Sequence, residues 1–325
     1  MTANGELRTG LVIKAQSGFF TVHCDDGTRF VCAAAGRLKK GKYEEDALAV
    51  GDRVTVEPIP SKGGVNGRIV AVAPRGRTLS RLDPIYTARG KPSGQTIRQV
   101  IVANVDLAVF VFACAEPEFR PRMLDRYLVG AEAQQLPALI VATKVDLVGE
   151  AQARALFAVY EHIGYEVIYT SIFPDHPAHA GIAQLRDRLR GKISVLTGKS
   201  GVGKSSLLNA LKPGLDKEVG RISEALKKGR HTTVVPELVQ LDEQSWIADT
   251  PGLRGYAIWD VEPEELDGYY REIAPFVSQC AFSDCTHTHE PGCAVLRAVA
   301  EGLISRERYE SYVRLREELM ALRPW

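Results

Sequence analysis

No apolar run in this chain comes near the roughly 20 residues of a membrane-crossing helix; the longest, around LAVFVFACA at 107–115, is less than half that. The first ten residues, MTANGELRTG, are polar and hold no apolar core of a secretion signal. A surplus of charge is missing as well. Forty-one Lys and Arg face 40 Asp and Glu, a formal net charge of +1. That excludes a chain that coats nucleic acid indiscriminately and leaves any RNA surface to local clustering. A disulfide framework is not indicated either. Of six cysteines, Cys24, Cys32 and Cys114 sit singly in apolar, strand-like segments, as buried thiols do. Cys280, Cys285 and Cys293 gather near the C-terminus with His287 and His289, and in a cytosolic chain such a group points to a metal. The expectation is a cytoplasmic globular protein without a membrane partner. At 325 residues, 45% hydrophobic and 25% charged, it has the length for two or three domains.

From residue 10 to about 73 the pattern is all-β. GLVIKAQ, FFTVHC, TRFVCAAA, DRVTVEP and GRIVAVAP are short β-rich runs parted by turns such as DDGT and KGGVNG. Five such strands fit a small closed barrel, the five-stranded oligonucleotide-binding type foremost, with a small sandwich or SH3-like barrel sharing the pattern. Few aromatics suited to base stacking appear there beyond Phe19, Phe20 and Phe30. Residues 74–98 follow, PRGRTLSRLDPIYTARGKPSGQTIR, in which Arg75, Arg77, Arg81, Arg89, Lys91 and Arg98 face the single acid Asp83. This Pro/Gly-punctuated linker reads either as a solvated tether or as a segment that contacts phosphates. Between 100 and 258 apolar strands (LAVFVFA, ALIVAT, EVIYTS, ISVLTG, TVVPELVQL, WIADT) alternate with amphipathic helices (RPRMLDRYLVGAEAQQ, EAQARALFAVYEHIG, IAQLRDRLR, SSLLNALK). Such alternation predicts a doubly wound α/β sheet that binds ligands at the carboxyl ends of its strands. The remainder is helical, and its last segment places Tyr312, Leu315, Leu319 and Leu322 on one face.

The most specific motif is ISVLTGKSGVGKSSLLNAL. Gly198 and Gly203 bracket four residues before Lys204 and Ser205, with a strand ahead and a helix behind, the context a phosphate loop requires. Glycines let backbone N–H groups turn in on phosphate oxygens, and the helix start adds a positive dipole end. The loop Gly198, Lys199, Ser200, Gly201, Val202 and Gly203, with Lys204, Ser205 and Ser206, is thus a candidate nucleotide cradle. Lys204 would reach the β- and γ-phosphates and the Ser205 hydroxyl can ligate Mg²⁺. In WIADTPGLRG a strand ends at Asp249, a candidate Mg²⁺ holder through water, and the Gly252 N–H has room to meet a γ-phosphate. In KKGRHTTVVP, Thr233 is the favoured third Mg²⁺ ligand, with Thr232 an open alternative. TKVD, Thr143 to Asp146, follows the strand ALIVAT. There the Asp146 carboxylate can accept from guanine N1–H and the exocyclic amine together, a pair that adenine does not offer; Lys144 and Val145 complete the motif. Ser171 and Ile172 of YTSI end the next strand, where the Ile172 N–H can meet guanine O6.

In most guanine-nucleotide switches the phosphate loop precedes the base motif; here the order is reversed. With base motif, phosphate loop, GRHTT and DTPGLR in this order, IVANVD at 101–106 and the terminal Cys/His cluster, nearly the whole chain resembles the ribosome small-subunit-dependent GTPase family, RsgA/YjeQ. The resemblance implies a multidomain α/β protein. An oligonucleotide-binding barrel at 1–75 and a basic linker at 76–98 would lead to a circularly permuted GTPase domain at 99–258 and a helical zinc domain at 259–325. It further implies GTP hydrolysis with Mg²⁺, stimulated by the small (30S) ribosomal subunit, contact with its rRNA, and a part in that subunit's late maturation, as a monomer. One departure stands out: the family's base motif begins with asparagine, and this chain has Thr143. Loss of the amide's reach to the base and neighbouring loops is expected to weaken nucleotide affinity while Asp146 keeps guanine discrimination. Ile172 likewise replaces a usual alanine, in a role that runs through the backbone.

Two further readings concern chemistry. Many GTPases place a glutamine after the D-x-x-G glycine to orient the attacking water; here Leu253 stands there, and His231 beside the threonines is the candidate for that task. Cys280, Cys285, His287 and Cys293 give a C-x₄-C-x-H-x₅-C spacing, which suits a closed tetrahedral Zn²⁺ site that folds a short domain. His289 is an alternative fourth ligand, and the family pattern favours His287. A nucleotide-dependent RNA-binding assembly factor, in which hydrolysis only resets binding, is the second functional reading. A small-molecule kinase or ATPase is the third, and Asp146 argues against it.

Overall fold

The computed structural model describes residues 6–16, 18–35, 48–86, 92–215, 237–249 and 261–321. The chain divides into two compact units, each drawn from three separate stretches. The first comprises Met1–Val109, Ile182–Thr197 and Gly203–Arg254. It opens with strands β1 (Arg8–Gln16), β2 (Phe19–Cys24), β3 (Arg29–Ala34), β4 (Arg53–Lys62) and β5 (Val65–Val72). β1 pairs antiparallel with β2 and with β4, β2 with β3, and β4 with β5, while β3 lies parallel to β5. The pairing therefore closes on itself as a five-stranded barrel, which leaves no strand edge among the five unpaired. Val12, Val22, Cys24, Cys32, Val54, Val56 and Ile69 fill it. The interior is tight: a Cβ at Gly67 would sit 2.7 Å from Cys32 Sγ. Burial there pushes the Cys32 thiol up to about 12, so it is inert.

β1 serves two neighbours in succession. Arg8 to Leu11 pair with β4; after an irregularity between Val12 and Lys14, Lys14 lies opposite Glu237 of β12 (Glu237–Gln240). β12 is antiparallel to β13 (Trp246–Asp249), and β13 is parallel to β11 (Ile193–Thr197).

The basic linker is not a tether. Its residues enter β6 (Thr78–Tyr86) and β7 (Pro92–Ala103), which pair antiparallel from Thr78 opposite Ala103 to Tyr86 opposite Pro92. The prolines and glycines suggested a loop, but TIRQVIVA is a run rich in β-branched residues. Pro92 falls on the first residue of its strand, where a missing N–H is tolerated. The base of this hairpin is laced to the turn before β4. Val50 bridges Val102, Asn104 Nδ2 donates to Gly51 O at 2.8 Å, and Arg75 makes a two-pronged bond to buried Asp52 with both distances 2.7 Å.

The second unit comprises Phe110–Gly181, Gly198–Val202 and Gly255–Trp325. β8 (Leu107–Ala113) leads into it; β9 (Ala138–Thr143) and β10 (Glu166–Tyr169) run parallel, with Leu139 opposite Glu166. β8 and β9 are almost wholly buried, which is why each reads as an unbroken apolar run rather than an alternation. α1 (Pro121–Ala133) and α2 (Glu150–His162) follow β8 and β9, the expected β–α order. Phe119 meets Phe157 at 4.5 Å between ring centroids, and Phe110 stacks on Tyr127 at 5.5 Å. α3 (Ala180–Leu189) and α4 (Lys204–Leu211) belong largely to the first unit, where Arg186 donates to Leu211 O at 2.8 Å.

The C-terminal part of this unit carries α5 (Ala294–Ala300) and α6 (Arg306–Ala321). Tyr312, Leu315 and Leu319 are buried with Val129 of α1 in one core, as the spacing predicts; Leu322 lies outside the described residues. Arg308 of α6 is buried between two carboxylates, Asp125 of α1 and Glu272, the latter at 2.6 Å. Arg271 donates to Glu132 at 2.7 Å and lies 3.9 Å over the Tyr165 ring. Among the described residues no helix is long and apolar enough to cross a membrane.

Candidate guanine-nucleotide site and metal centre

Thr143 closes β9, and Lys144 then turns into the left-handed region with φ 57. The turn throws Lys144 Nζ onto Glu116 O and starts a 3-10 turn, Val145–Leu147, that carries Asp146. Backbone bonds tie this turn to the end of β10: Val145 N–H donates to Thr170 O at 3.3 Å, and Thr170 N–H to Ala142 O at 2.7 Å. The Ser171 hydroxyl donates to Asp146 Oδ1 at 2.7 Å and accepts from the Phe173 N–H at 3.3 Å. One proton and one acceptor thus fix the hydroxyl, and the hydroxyl fixes the carboxylate. Ser171 itself is buried and anchored, its N–H on Ala178 O and its carbonyl accepting from His179 Nδ1 at 3.1 Å. Ser171 therefore acts on Asp146, a role that its place in YTSI did not disclose. The Ile172 side chain is exposed, as suits a residue expected to work through its backbone.

Thr143, though shorter than an asparagine, keeps a hydrogen bond to a neighbouring loop. Its buried hydroxyl donates to Val202 O at 2.5 Å and lies 3.3 Å from Phe112 O. Val202 belongs to the phosphate loop, 59 positions further along. A hydroxyl has one proton to give, and the shorter distance assigns it to Val202. The strand that ends in the base motif thereby holds the phosphate loop by its backbone. A short β-branched residue suffices because the loop comes this close.

The loop needs its glycines. A Cβ at Gly198 would lie 2.3 Å from Val111 O, and Gly201 and Gly203 have φ of 85 and 93, where only glycine is unstrained. Val202 is buried and anchors the loop from within; Lys199 and Ser200 are exposed. Gly203 caps α4, whose first turn presents Lys204 part-buried and Ser205 and Ser206 exposed, while Leu207, Leu208 and Leu211 are buried. In the first unit β13 runs beside β11 with Val195 opposite Ala248, so Asp249 ends its strand next to the one that leads into the loop. His231, Thr232, Thr233, Gly252 and Leu253 lie outside the described residues, as does the side chain of Asp249.

Cys280, Cys285, His287 and Cys293 bring their ligand atoms within 4.8 Å of one another. His287 Nδ1 lies 3.5 Å from Cys280 Sγ and 3.4 Å from Cys293 Sγ, and those two sulfurs are 3.9 Å apart. Both sulfurs receive backbone N–H groups, from Ala294 at 3.4 Å and Leu296 at 3.5 Å. Three sulfurs and an imidazole nitrogen converging on one point, with N–H groups that favour thiolate, fit a cation held in a closed set of four. His289 is exposed and bonded to Thr288, while His287 is the histidine that joins the three cysteines. The far nitrogen of His287 faces Asp267 Oδ2 at 3.0 Å, the outer carboxylate that orients a metal-bound imidazole. Burial opposes a charged His287, but Asp267 and Cys293 outweigh it and lift its pKa to about 9. Asp267 went unnoticed in the sequence because it stands 20 positions upstream in an ordinary acidic stretch, with no spacing to mark it. α6 holds the ligand loop from outside, Tyr309 donating to His287 O at 2.8 Å and Tyr312 to Thr286 O at 3.1 Å.

Comparison with known proteins identifies the family. The family model described as RsgA GTPase matches residues 83–259, and the model for the RsgA N-terminal domain matches 9–65. The small ribosomal subunit biogenesis GTPase RsgA of Gemmatimonas aurantiaca is 45% identical over 312 residues, 96% of this chain and 97% of its own. The protein of that name from Thermotoga petrophila is 38% identical over 320 residues, 97% and 98% of the two chains. Among solved structures, YjeQ from Thermotoga maritima superposes with a TM-score of 0.76 at 34% identity, covering 98% of this chain and 100% of that one. YloQ, described as a circularly permuted GTPase, gives 0.72 at 29% identity over 100% and 99%.

Proposed function

Because the chain belongs to the RsgA family of GTPases, we propose that it hydrolyses GTP to GDP and phosphate on the small ribosomal subunit and serves late maturation of that subunit. Work on a ribosomal subunit places it in the cytoplasm, with GTP, GDP and 30S rRNA as its partners. The observation that carries the reading is Asp146 in the turn that follows a parallel strand, with one oxygen fixed by Ser171 at 2.7 Å. A carboxylate held in one orientation suits the two donors on guanine's edge, and a site built for such bonds rejects a base that lacks them by orders of magnitude.

The roles divide by segment. Asp146 reads the base, Lys144 and Val145 shape the turn under it, and the Ile172 N–H serves guanine O6. The loop from Gly198 to Gly203 offers N–H groups to the phosphates, with Lys204 on the β- and γ-oxygens. Ser205, Thr233 and Asp249 would hold the Mg²⁺ that accompanies GTP, and the Gly252 N–H would meet the γ-phosphate. His231 would orient the attacking water, since Leu253 stands where a glutamine would do so. Cys280, Cys285, His287 and Cys293 would hold Zn²⁺. Four filled positions give that ion a folding role and leave no place for a reacting water.

The test is GTP and ATP hydrolysis with and without purified small subunits, with Lys204→Ala as the blank. The reading expects GTP preference and strong stimulation by the subunit, lost in His231→Ala. ATP preference would overturn it, and GTP binding without stimulation would favour the assembly factor that hydrolysis only resets.

A further inference from the structure

We propose that Glu116 reads the sugar of the nucleotide: its carboxylate accepts from the ribose hydroxyls and so favours a ribonucleotide over one without them. The proposal rests on the reading of Asp146 and the phosphate loop as a guanine-nucleotide site, and it concerns the part of the ligand that neither of them addresses. β8 ends at Ala113 and α1 starts at Pro121. The short connection between them is pinned along its length. Cys114 N–H donates to Thr143 O at 2.9 Å, and Glu116 O accepts from Lys144 Nζ. The next residue faces the phosphate loop, since a Cβ on Gly201 would lie 3.7 Å from Pro117 Cδ. Phe119 then anchors the far end, with ring centroids 5.8 Å from Phe112 and 4.5 Å from Phe157. Residues 116 and 117 thus touch the base motif on one side and the phosphate loop on the other, all within the second unit. The bond from Thr143 to Val202 O fixes the span between those two segments. A nucleotide with its base on Asp146 and its phosphates on the loop lays its sugar across that span, beside Glu116.

Glu116 has φ 50, in a left-handed region that glutamate seldom occupies. Such a conformation persists where the surroundings over-determine it, and here Lys144 grips the carbonyl while Pro117 packs on Gly201. The side chain is exposed, and its carboxylate has no bonded partner among the described residues. A carboxylate is an acceptor only, and beside a triphosphate it repels unless it meets a donor. The donors on guanine's edge belong to Asp146, and phosphate oxygens accept. The ribose hydroxyls are the donors that remain. Dinucleotide-binding folds hold a ribose hydroxyl on an acidic side chain in the same way. Because Lys144 bonds to the main chain of Glu116, replacing the side chain removes the carboxylate and keeps the anchor of the loop.

The experiment measures equilibrium binding of unlabelled GTP and 2′,3′-dideoxy-GTP to the full chain by calorimetry. The unaltered chain is expected to bind GTP about 10-fold more tightly than the dideoxy analogue, and Glu116→Ala to bind the two alike, with its GTP affinity about 10-fold lower. Glu116→Gln, which keeps one acceptor oxygen, is expected to lose about threefold, and Glu118→Gln, the same change of charge two residues on, to lose nothing. Equal binding of the two nucleotides by the unaltered chain would overturn the proposal without recourse to any variant. Tighter GTP binding by Glu116→Ala would overturn it too, as a carboxylate that merely repels phosphate would require, and so would an equal loss in Glu118→Gln. Preference for GTP over ATP, measured on the same preparation of the unaltered chain, judges the guanine reading separately.

Discussion

The candidate guanine-reading end and the candidate metal centre lie in one compact unit and are built on opposite plans. The four candidate metal ligands fall between positions 280 and 293, and their surroundings are largely local: N–H groups from Ala294 and Leu296, and a loop clamped by the Glu290 carboxylate, which accepts from Thr286, Thr288 and His289. The guanine end is assembled from Thr143 to Asp146, Ser171 and Val202, which only the sheet brings together. A local site announces itself by spacing and depends on its ion. An assembled site announces itself only in fragments and depends on the fold. Removing one ligand should therefore ruin the first structurally, while removing one hydrogen bond from the second should change function on an intact frame.

The strongest way to break that contrast is Cys285→Ser. Structural zinc supplies roughly 10–16 kcal/mol in small domains, so loss of a ligand is expected to cost several kcal/mol of stability and the bound metal together. Metal content and thermal unfolding, with and without chelator, would show it; a variant that keeps its melting transition would place the metal centre on the same plan as the guanine end. Next in size is Asp146→Ala, expected to weaken GTP binding on the order of 100-fold or more with unchanged melting. An equal loss of stability would erase the distinction from the other side. The smallest effect sharpens the comparison. Thr143→Val keeps the shape and deletes the bond to Val202 O, worth about 1 kcal/mol net. A loss of about 5- to 10-fold is expected for GTP and GDP alike, recovered by Thr143→Ser, with preference for guanine unaltered. A change in base preference would show that Thr143 touches the base after all.

The same contrast explains what could be read beforehand. β8, β9 and the barrel strand β2 were legible residue for residue because burial on one or both faces imposes a simple apolar pattern. The phosphate loop, TKVD and the cysteine spacing were legible because their chemistry fixes residue types at fixed intervals. Illegible were the contacts that join distant fragments. Nothing near Thr143 indicates that Val202 lies at hydrogen-bond distance, nothing in YTSI that Ser171 steers Asp146, and nothing around Asp267 that it faces His287. The hairpin of β6 and β7 was misread for a related reason: its prolines and glycines are local signals of a loop, while the pairing that makes it two strands joins residues up to 25 positions apart, Thr78 and Ala103.

Arg308 has a consequence of another kind. One buried guanidinium answers two carboxylates, Asp125 and Glu272, and Tyr160 donates a further bond to Asp125 at 2.8 Å. Remove Arg308 and two carboxylates are left in the interior without a counter-charge, a loss on the order of 3–5 kcal/mol, whereas removal of either carboxylate leaves Arg308 paired with the other. Among positions 125, 272 and 308, which lie far apart in the chain, the arginine is therefore the one that cannot change first: a lineage that exchanges the set for apolar residues has to begin at a carboxylate.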